Sequence, residues 1–380
     1  MNLLLPLALY ALVVHYGASS PPSLATKPSP LLSRACDATD VLAVSGFALE
    51  DINRDRKDGY VLSLNRVSDA REHRQAHLGS LYYLTLDVLE TKCHVLSNRS
   101  WKDCEARVLH ESVYGQCKAL FYINKPRRIL YTPAYNCTLH PVSRRSIHRM
   151  CPDCPSPSPT DLSDPSVLEA VAESLAKYND ESNLKQYSLV KVTRASSQWV
   201  FGPAYFVEYL IRESPCTKSQ ASSCTLQSPN SEPVGLCKGS LSRNNMEKHV
   251  SVTCDFFKSQ VQDPETKNSA VNQGPANFPQ QKSPAPQHSP SPPVLQGSVQ
   301  HLPDLDDEKP TVSQEKGLAD DFPVHLNLTT NPQGDSLDVS FLFMEPVKEK
   351  IVVFPFPSKE QRSAKCPGPA EKYSPFILPP

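Results

Sequence analysis

Val41 to Asn53 reads VLAVSGFALEDIN, and Val167 to Asn179 reads VLEAVAESLAKYN. In the first stretch Val41, Val44, Ala48 and Ile52 fall on one helical face; in the second Leu168, Val171, Leu175 and Tyr178 do the same. Asp164 followed by Pro165 supplies an N-cap and an N1 proline for the second helix, and the first is expected to begin near Thr39 or Asp40. The segments after the two helices repeat as well. Tyr60 to Val67 (YVLSLNRV) matches Tyr187 to Val192 (YSLVKV), and Tyr82 to Cys93 (YYLTLDVLETKC) matches Tyr205 to Cys216 (YFVEYLIRESPC). These runs are rich in the aromatic and β-branched residues that strands favour. Cysteine pairs then recur as C-x10-C and C-x19-C in the first copy, and C-x7-C and C-x16-C in the second. The expectation is two homologous modules, each one helix followed by an antiparallel sheet.

Around this repeat the composition sets limits. The chain has 380 residues, enough for two domains and an additional segment. Lys and Arg number 39 against 40 Asp and Glu, so the chain lacks the basic excess of a dedicated nucleic-acid binder. Leu3 to Val14 is an apolar run too short to cross a bilayer, and Gly17, Ala18 and Ser19 follow it. This predicts a signal peptide over 1–18 and a secreted chain with no membrane anchor.

Secretion makes the 12 cysteines read as disulfides. Neighbours in sequence pair as Cys93–Cys104, Cys117–Cys137, Cys151–Cys154, Cys216–Cys224 and Cys237–Cys254, which leaves Cys36 with Cys366. Spacing alone does not fix connectivity, so the pairing rests on the symmetry of the repeat. Asn98, Asn136 and Asn327 head N-glycosylation sequons.

One helix, four or five strands and two successive disulfides at these spacings resemble the cystatin fold. Two such modules joined by Cys-Pro-Asp-Cys-Pro and followed by a proline-rich tail resemble the fetuin family of the cystatin superfamily. SVYGQCKA (Ser112 to Ala119), TLDVLETKCHVL (Thr85 to Leu96) and the run on to Tyr131 carry that resemblance, which covers essentially the whole mature chain. The expected class is α+β. Module 1 spans 36–143, a linker 144–160, module 2 161–258 and a C-terminal region 259–380.

Residues 259–380 hold 20 of the 37 prolines, and the Gln-, Ser- and Asn-rich stretch to about Pro310 is expected to be disordered. Further on, Val324-Leu326-Leu328 and Leu337-Val339-Phe341-Phe343 alternate across Asn331 to Gly334, which predicts a hairpin within 322–357. Ile351 to Phe356 offers a further strand, and a Cys36–Cys366 bridge would hold this tail on the first module.

No enzymatic constellation is present: no phosphate loop, no HExxH and no GxSxG. With the cysteines consumed by bridges, no thiol is left as a nucleophile, and no cofactor is expected. The chain reads as acting on an enzyme.

Two segments are candidates for that action. Cys151-Pro152-Asp153-Cys154-Pro155 lies between the modules. A redox CxxC fits poorly because Pro155, Pro157 and Pro159 extend the chain, and two thiols fall short of a zinc site. A linker staple without function is the plain alternative. A disulfide across four residues would instead close a tight loop with Asp153 at its tip, stiffened by prolines. An exposed carboxylate can occupy the open position of a protease zinc, bonding at ~2.0–2.2 Å and displacing the water that serves as nucleophile. A cut near Asp153 would leave the ends tethered by Cys151–Cys154.

The resemblance implies the same action. The fetuin family includes inhibitors of astacin-like zinc metalloproteases, among them the egg enzyme ovastacin, whose premature action hardens the zona pellucida. The partner expected is such a protease, met by a monomer.

The second segment, Gln198-Trp199-Val200-Phe201-Gly202, matches the QxVxG hairpin that cystatins insert into papain-like proteases. Gln75-Ala76-His77-Leu78-Gly79 is its degenerate counterpart. Neither module has a Pro-Trp second hairpin, so this element is expected to brace a metalloprotease beside the linker. In the plain alternative Gly202 only allows the turn and Trp199 packs inward.

Cysteine-protease inhibition is the second function considered, and a plasma carrier or mineral-binding scaffold the third. The basic Arg144, Arg145, His148 and Arg149 and the acidic Asp304, Asp306, Asp307 and Glu308 decide neither.

Overall fold

A computed structural model describes residues 31–107, 109–153, 156–182, 185–199, 202–215, 232–244, 247–257, 296–303, 324–343, 348–357 and 363–372. The expected signal peptide, the cysteines 154, 216 and 224 and the acidic cluster at 304–308 lie outside them.

In the first module a short strand β1 (Leu32–Ser33) precedes helix α1 (Thr39–Asp55), which buries Val41, Val44, Ala48, Leu49 and Ile52. Four long strands follow: β2 (Tyr60–Gln75), β3 (Gly79–His94), β4 (Val113–Asn124) and β5 (Ile129–Pro141). Register shifts in β2 between Leu64 and Arg66 and between Val67 and Asp69 bend the sheet toward the helix, as bulges do. Asn53, the last residue of the first repeat stretch, clamps the start of β2. Its Nδ2 donates to the Leu62 carbonyl and its Oδ1 accepts from the Leu62 N–H, both at 2.8 Å.

A helix α2 (Arg144–Met150) and a two-residue strand β6 (Ser158–Pro159) join this module to the second. Helix α3 (Pro165–Glu181) starts at Asp164, whose side chain accepts from the Ser166 N–H at 2.8 Å. Strands β7 (Tyr187–Trp199), β8 (Pro203–Glu213), β9 (Gly235–Asn244) and β10 (Glu247–Phe256) complete a sheet in the order β10-β9-β8-β7-β6. Asn179 repeats the Asn53 clamp on Tyr187, with both bonds at 2.9 Å.

The buried face of α3 is rotated from the expected one. Val167, Ala170, Val171 and Ser174 are buried, whereas Leu168 is exposed. Small residues win because the helix lies close to β9: a Cβ on Gly239 would stand 2.4 Å from the Ser174 Oγ. Val167, Ala170 and Ser174 are the repeat equivalents of Val41, Val44 and Ala48.

Cys117 lies directly opposite Cys137 on β4 and β5, and Cys237 opposite Cys254 on β9 and β10; both pairs are bridged, with Cα atoms 4.0 Å apart. Cys93 is bridged to Cys104 and Cys36 to Cys366.

Two expectations for the C-terminal region are corrected. Within the stretch expected to be disordered, β11 (Gln296–His301) runs parallel to β5 and adds an edge strand to the first sheet, giving the order β1-β2-β3-β4-β5-β11. Backbone pairing along β5, with Val299 packed against the core, orders this mostly polar segment. The hairpin expected across Asn331 to Gly334 is absent. A turn does form there, with the Gly334 N–H donating to the Asn331 carbonyl at 2.8 Å, but 324–330 is not a strand. Instead β12 (Asp335–Asp338) pairs with β13 (Lys350–Val353). Val324 and Leu326 are buried, and Leu326 packs as extended chain against the outer face of the first sheet. Leu326, Val339, Ile351 and Val353 cover Leu81, Tyr83, Leu120 and Tyr122 there. The apolar alternation therefore reflects docking rather than mutual pairing.

Candidate functional site

The linker is held at both ends. Ser143 caps α2, and Ile147 is buried with Leu89, Tyr114 and Val142 of the first module. The Cys151 N–H closes the helix on the Ile147 carbonyl at 2.8 Å. Downstream, Ser158 and Pro159 pair with Ser197 and Ser196, and the Thr160 N–H donates to the Ala195 carbonyl at 3.1 Å. Arg144 Nη1 donates to the Ser158 Oγ at 2.8 Å and ties the two ends together.

Pro152 and Asp153 are exposed between these two anchors. Cys151 is disulfide-bonded; Cys154 and Pro155, the rest of the predicted staple, lie outside the described residues. Arg144, Arg145, His148 and Arg149 form the exposed side of α2.

The same anchoring sets the second candidate beside the first. Ser158 faces Ser197, two residues before Trp199, and it follows Asp153 by five positions, a reach of at most ~18 Å. Gln198 pairs with Ala204 and Trp199 with Pro203 at the end of the β7–β8 hairpin. Trp199 is 77% exposed, which removes the inward-packing alternative. Gly202 does serve the turn: its φ is +151°, and a Cβ there would meet the Arg243 carbonyl oxygen at 2.0 Å. Val200 and Phe201 lie outside the described residues.

The first module presents its counterpart differently. Gly79 has φ +102° and the same close approach, here to the Ile123 carbonyl at 2.3 Å. Gln75, however, is clamped by the tail: its Nε2 donates to the Val352 carbonyl at 2.8 Å and its Oε1 accepts from the Val352 N–H at 2.7 Å. The tail thus grips the base of one hairpin, while Trp199 projects freely from the other.

What orients the two modules was not anticipated from motifs. Arg107 of the first module donates from Nη1 and Nη2 to Glu208 of β8 at 3.0 and 2.7 Å, and pairs with Glu90 at 3.1 Å. The Tyr60 hydroxyl donates to Glu208 and lies 2.8 Å from the Thr193 Oγ1; Arg194 reaches back to Glu90. Arg107, Glu90 and Glu208 are all buried. Burial alone would push the Glu208 carboxyl up, but the Arg107 fork and Lys238 hold it down at about 2. His94, buried beside the same junction and stacked on Phe257, is pushed down to about 4, chiefly by burial. One sign was present in the sequence: Glu90 and Glu208 interrupt the apolar runs LTLDVLETKC and YFVEYLIR.

Among the described residues, no group of three or more His, Cys, Asp or Glu is placed to hold a metal ion, and no helix is long and apolar enough to cross a membrane. Of the sequon asparagines, Asn98 and Asn327 are exposed. Asn136 lies on β5, and its Nδ2 donates to the His325 carbonyl at 2.7 Å.

The Cystatin domain profile matches residues 32–125 and 154–244, one match in each module. Human Fetuin-B is 66% identical over 385 residues, covering 100% of both chains. The chain belongs to the fetuin-B family. Two solved structures of a mouse relative are similar to nearly the whole chain. Mouse fetuin-B in complex with crayfish astacin has a TM-score of 0.71 at 53% identity, covering 93% of this chain and 100% of that one. The inhibitory complex of human meprin beta with mouse fetuin-B has a TM-score of 0.73 at 57% identity, covering 91% and 99%. These relatives match this chain well beyond the two segments that match the Cystatin domain.

Proposed function

We propose that this chain is a secreted inhibitor of astacin-family zinc metalloproteases. The observation that carries the reading is that mouse fetuin-B, similar along nearly the whole chain, has been solved with crayfish astacin and in an inhibitory complex with human meprin beta. The exposed linker loop is the inhibitory element: Asp153, braced by Cys151, Pro152, Cys154 and Pro155, offers its carboxylate to the target's zinc. The zinc and its chemistry belong to the protease. Taking the water's coordination position removes the nucleophile.

Gln198, Trp199, Val200, Phe201 and Gly202 form an accessory hairpin that grips the protease beside its cleft. The exposed Trp199 suits this role, since tryptophan buries a large area at little entropic cost. Among possible targets the family resemblance favours ovastacin, which would tie this chain to keeping the egg coat penetrable before fertilisation. The intact glycine turn and free Trp199 also favour a second reading, inhibition of papain-like cysteine proteases through the hairpin.

Assaying the secreted chain against one astacin-family enzyme and one papain-like enzyme tests both. Inhibition of the first alone is expected. Inhibition of the papain-like enzyme alone would reverse the assignment, and inhibition of neither would favour a carrier or mineral-binding protein.

A further inference from the structure

Between the modules, apart from the linker loop, lies a cleft of about 720 Å³. Its walls come from the end of α1 and the following turn (55–60), from β7 (191–195), from β11 (297–301) and from the linker around Thr160. That volume falls in the range of small-molecule sites.

The charge on its walls does not balance. Asp55 accepts from the Tyr135 hydroxyl at 2.7 Å, Asp58 is paired with Lys191, and Glu90 with Arg107 and Arg194. Asp58 and Glu90 are thus neutralised, Asp55 keeps its charge, and the four Lys and Arg side chains of the wall exceed its three carboxylates by one. Arg56 and Lys57 have no carboxylate within ion-pair distance among the described residues. Arg56 is buried, and its Nη1 donates to the Tyr60 carbonyl at 2.6 Å. Arg56 nonetheless forms part of the cleft wall. Gly59, at φ +85°, makes room for the guanidinium: a Cβ there would stand 2.8 Å from the Arg56 Nη2.

Burial pulls the Arg56 guanidinium below its ordinary value, an imbalance that Glu90, Tyr135 and Asp58 do not make up. Arg56 is the C-cap of α1, and the carbonyls of a helix end offset only about half a charge. The remainder, and Lys57, face the cleft.

We propose that this cleft binds a small organic dianion, a dicarboxylate or a phosphate ester, whose charged oxygens are held by Arg56 and Lys57. Arginine suits this task because its planar fork takes two oxygens at once. A ligand there would touch the first module, the second module and β11 together, and so would fasten the junction that sets the linker loop.

Calorimetric titration of the full chain with succinate and with glycerol 3-phosphate, at constant ionic strength, tests the site. One of the two is expected to bind 1:1 with a Kd at or below ~1 mM, and which one does identifies the class. Arg56→Gln should weaken binding at least tenfold (~1.4 kcal/mol). Lys57→Glu, a charge reversal at an exposed side chain, should do so without disturbing the fold. Lys248→Gln, remote on β10, should change nothing. Absence of 1:1 binding by either anion, or binding unaffected by Lys57→Glu, would overturn the proposal.

Discussion

Arg107 and Glu208 come from different modules, yet they form a buried two-pronged ion pair at 3.0 and 2.7 Å. Removing one partner of such a pair leaves an uncompensated buried charge, whereas replacing both by apolar groups does not. The pair joins the module that anchors the linker loop through Ile147 to the module that carries the hairpin.

Arg107→Ala should therefore destabilise the chain by ~3–5 kcal/mol and weaken protease inhibition with it. Arg107→Met combined with Glu208→Leu should cost clearly less than the two single changes added together. Chemical denaturation of Arg107→Ala, of the two single changes and of their combination checks this.

Acid should loosen the junction in two stages. His94 is held at about 4, below its ordinary 6.5, so its contribution is full above pH ~6.5 and is lost as pH falls toward 4. The loss amounts to about 3 kcal/mol at most. Glu208, held at about 2, contributes fully above pH ~4.5 and loses that contribution on the way down to 2. Melting temperature should fall between pH 6.5 and 4, and His94→Gln should flatten that part of the profile while leaving the lower part in place.

The two asparagine clamps are structural equivalents, each making two backbone hydrogen bonds. Asn53→Ala and Asn179→Ala should each cost ~1–3 kcal/mol, because each leaves backbone groups unpaired. Similar losses measured by chemical denaturation are the expected result.

Cys36–Cys366 spans 330 residues and holds the end of the tail on the first module. Replacing both cysteines by Ser should destabilise by ~2–5 kcal/mol. It should also raise binding of a hydrophobic dye, since Leu81, Tyr83, Leu120 and Tyr122 lie beneath the tail. Unchanged dye binding would mean that β12 and β13 stay docked without the bridge.

The repeat was legible because helical period, strand composition and cysteine spacing agreed at each level. Aligned with the first helix, the repeat also contains the buried face of α3, whereas helical spacing of the large apolar residues points to Leu168, which is exposed. Asn53 and Asn179 closed both quoted stretches, but their clamping role needed the structure. The tail was less legible. β11 is ordered by pairing with the backbone of β5, and polar composition carries no trace of that partner. The alternation at 324–343 recorded burial against a distant sheet, and local pattern cannot distinguish this from a hairpin. The junction carried the faintest sign, two glutamates inside apolar strands, because an ion pair across modules has no fixed spacing.

The central claim is that Asp153 blocks the protease zinc, and the inhibition constant against one astacin-family enzyme tests it most directly. Wild type, Asp153→Asn, Asp153→Ala and Trp199→Ala should be compared, each with its melting temperature. Asp153 and Trp199 are exposed, so melting should be unchanged. Loss of a buried charged contact costs ~2–5 kcal/mol, so Asp153→Ala should weaken inhibition by roughly 30-fold to several thousandfold. Asp153→Asn should lose no more than that, and Trp199→Ala less. Full inhibition by Asp153→Ala together with failure of Trp199→Ala would contradict the account and assign inhibition to the hairpin.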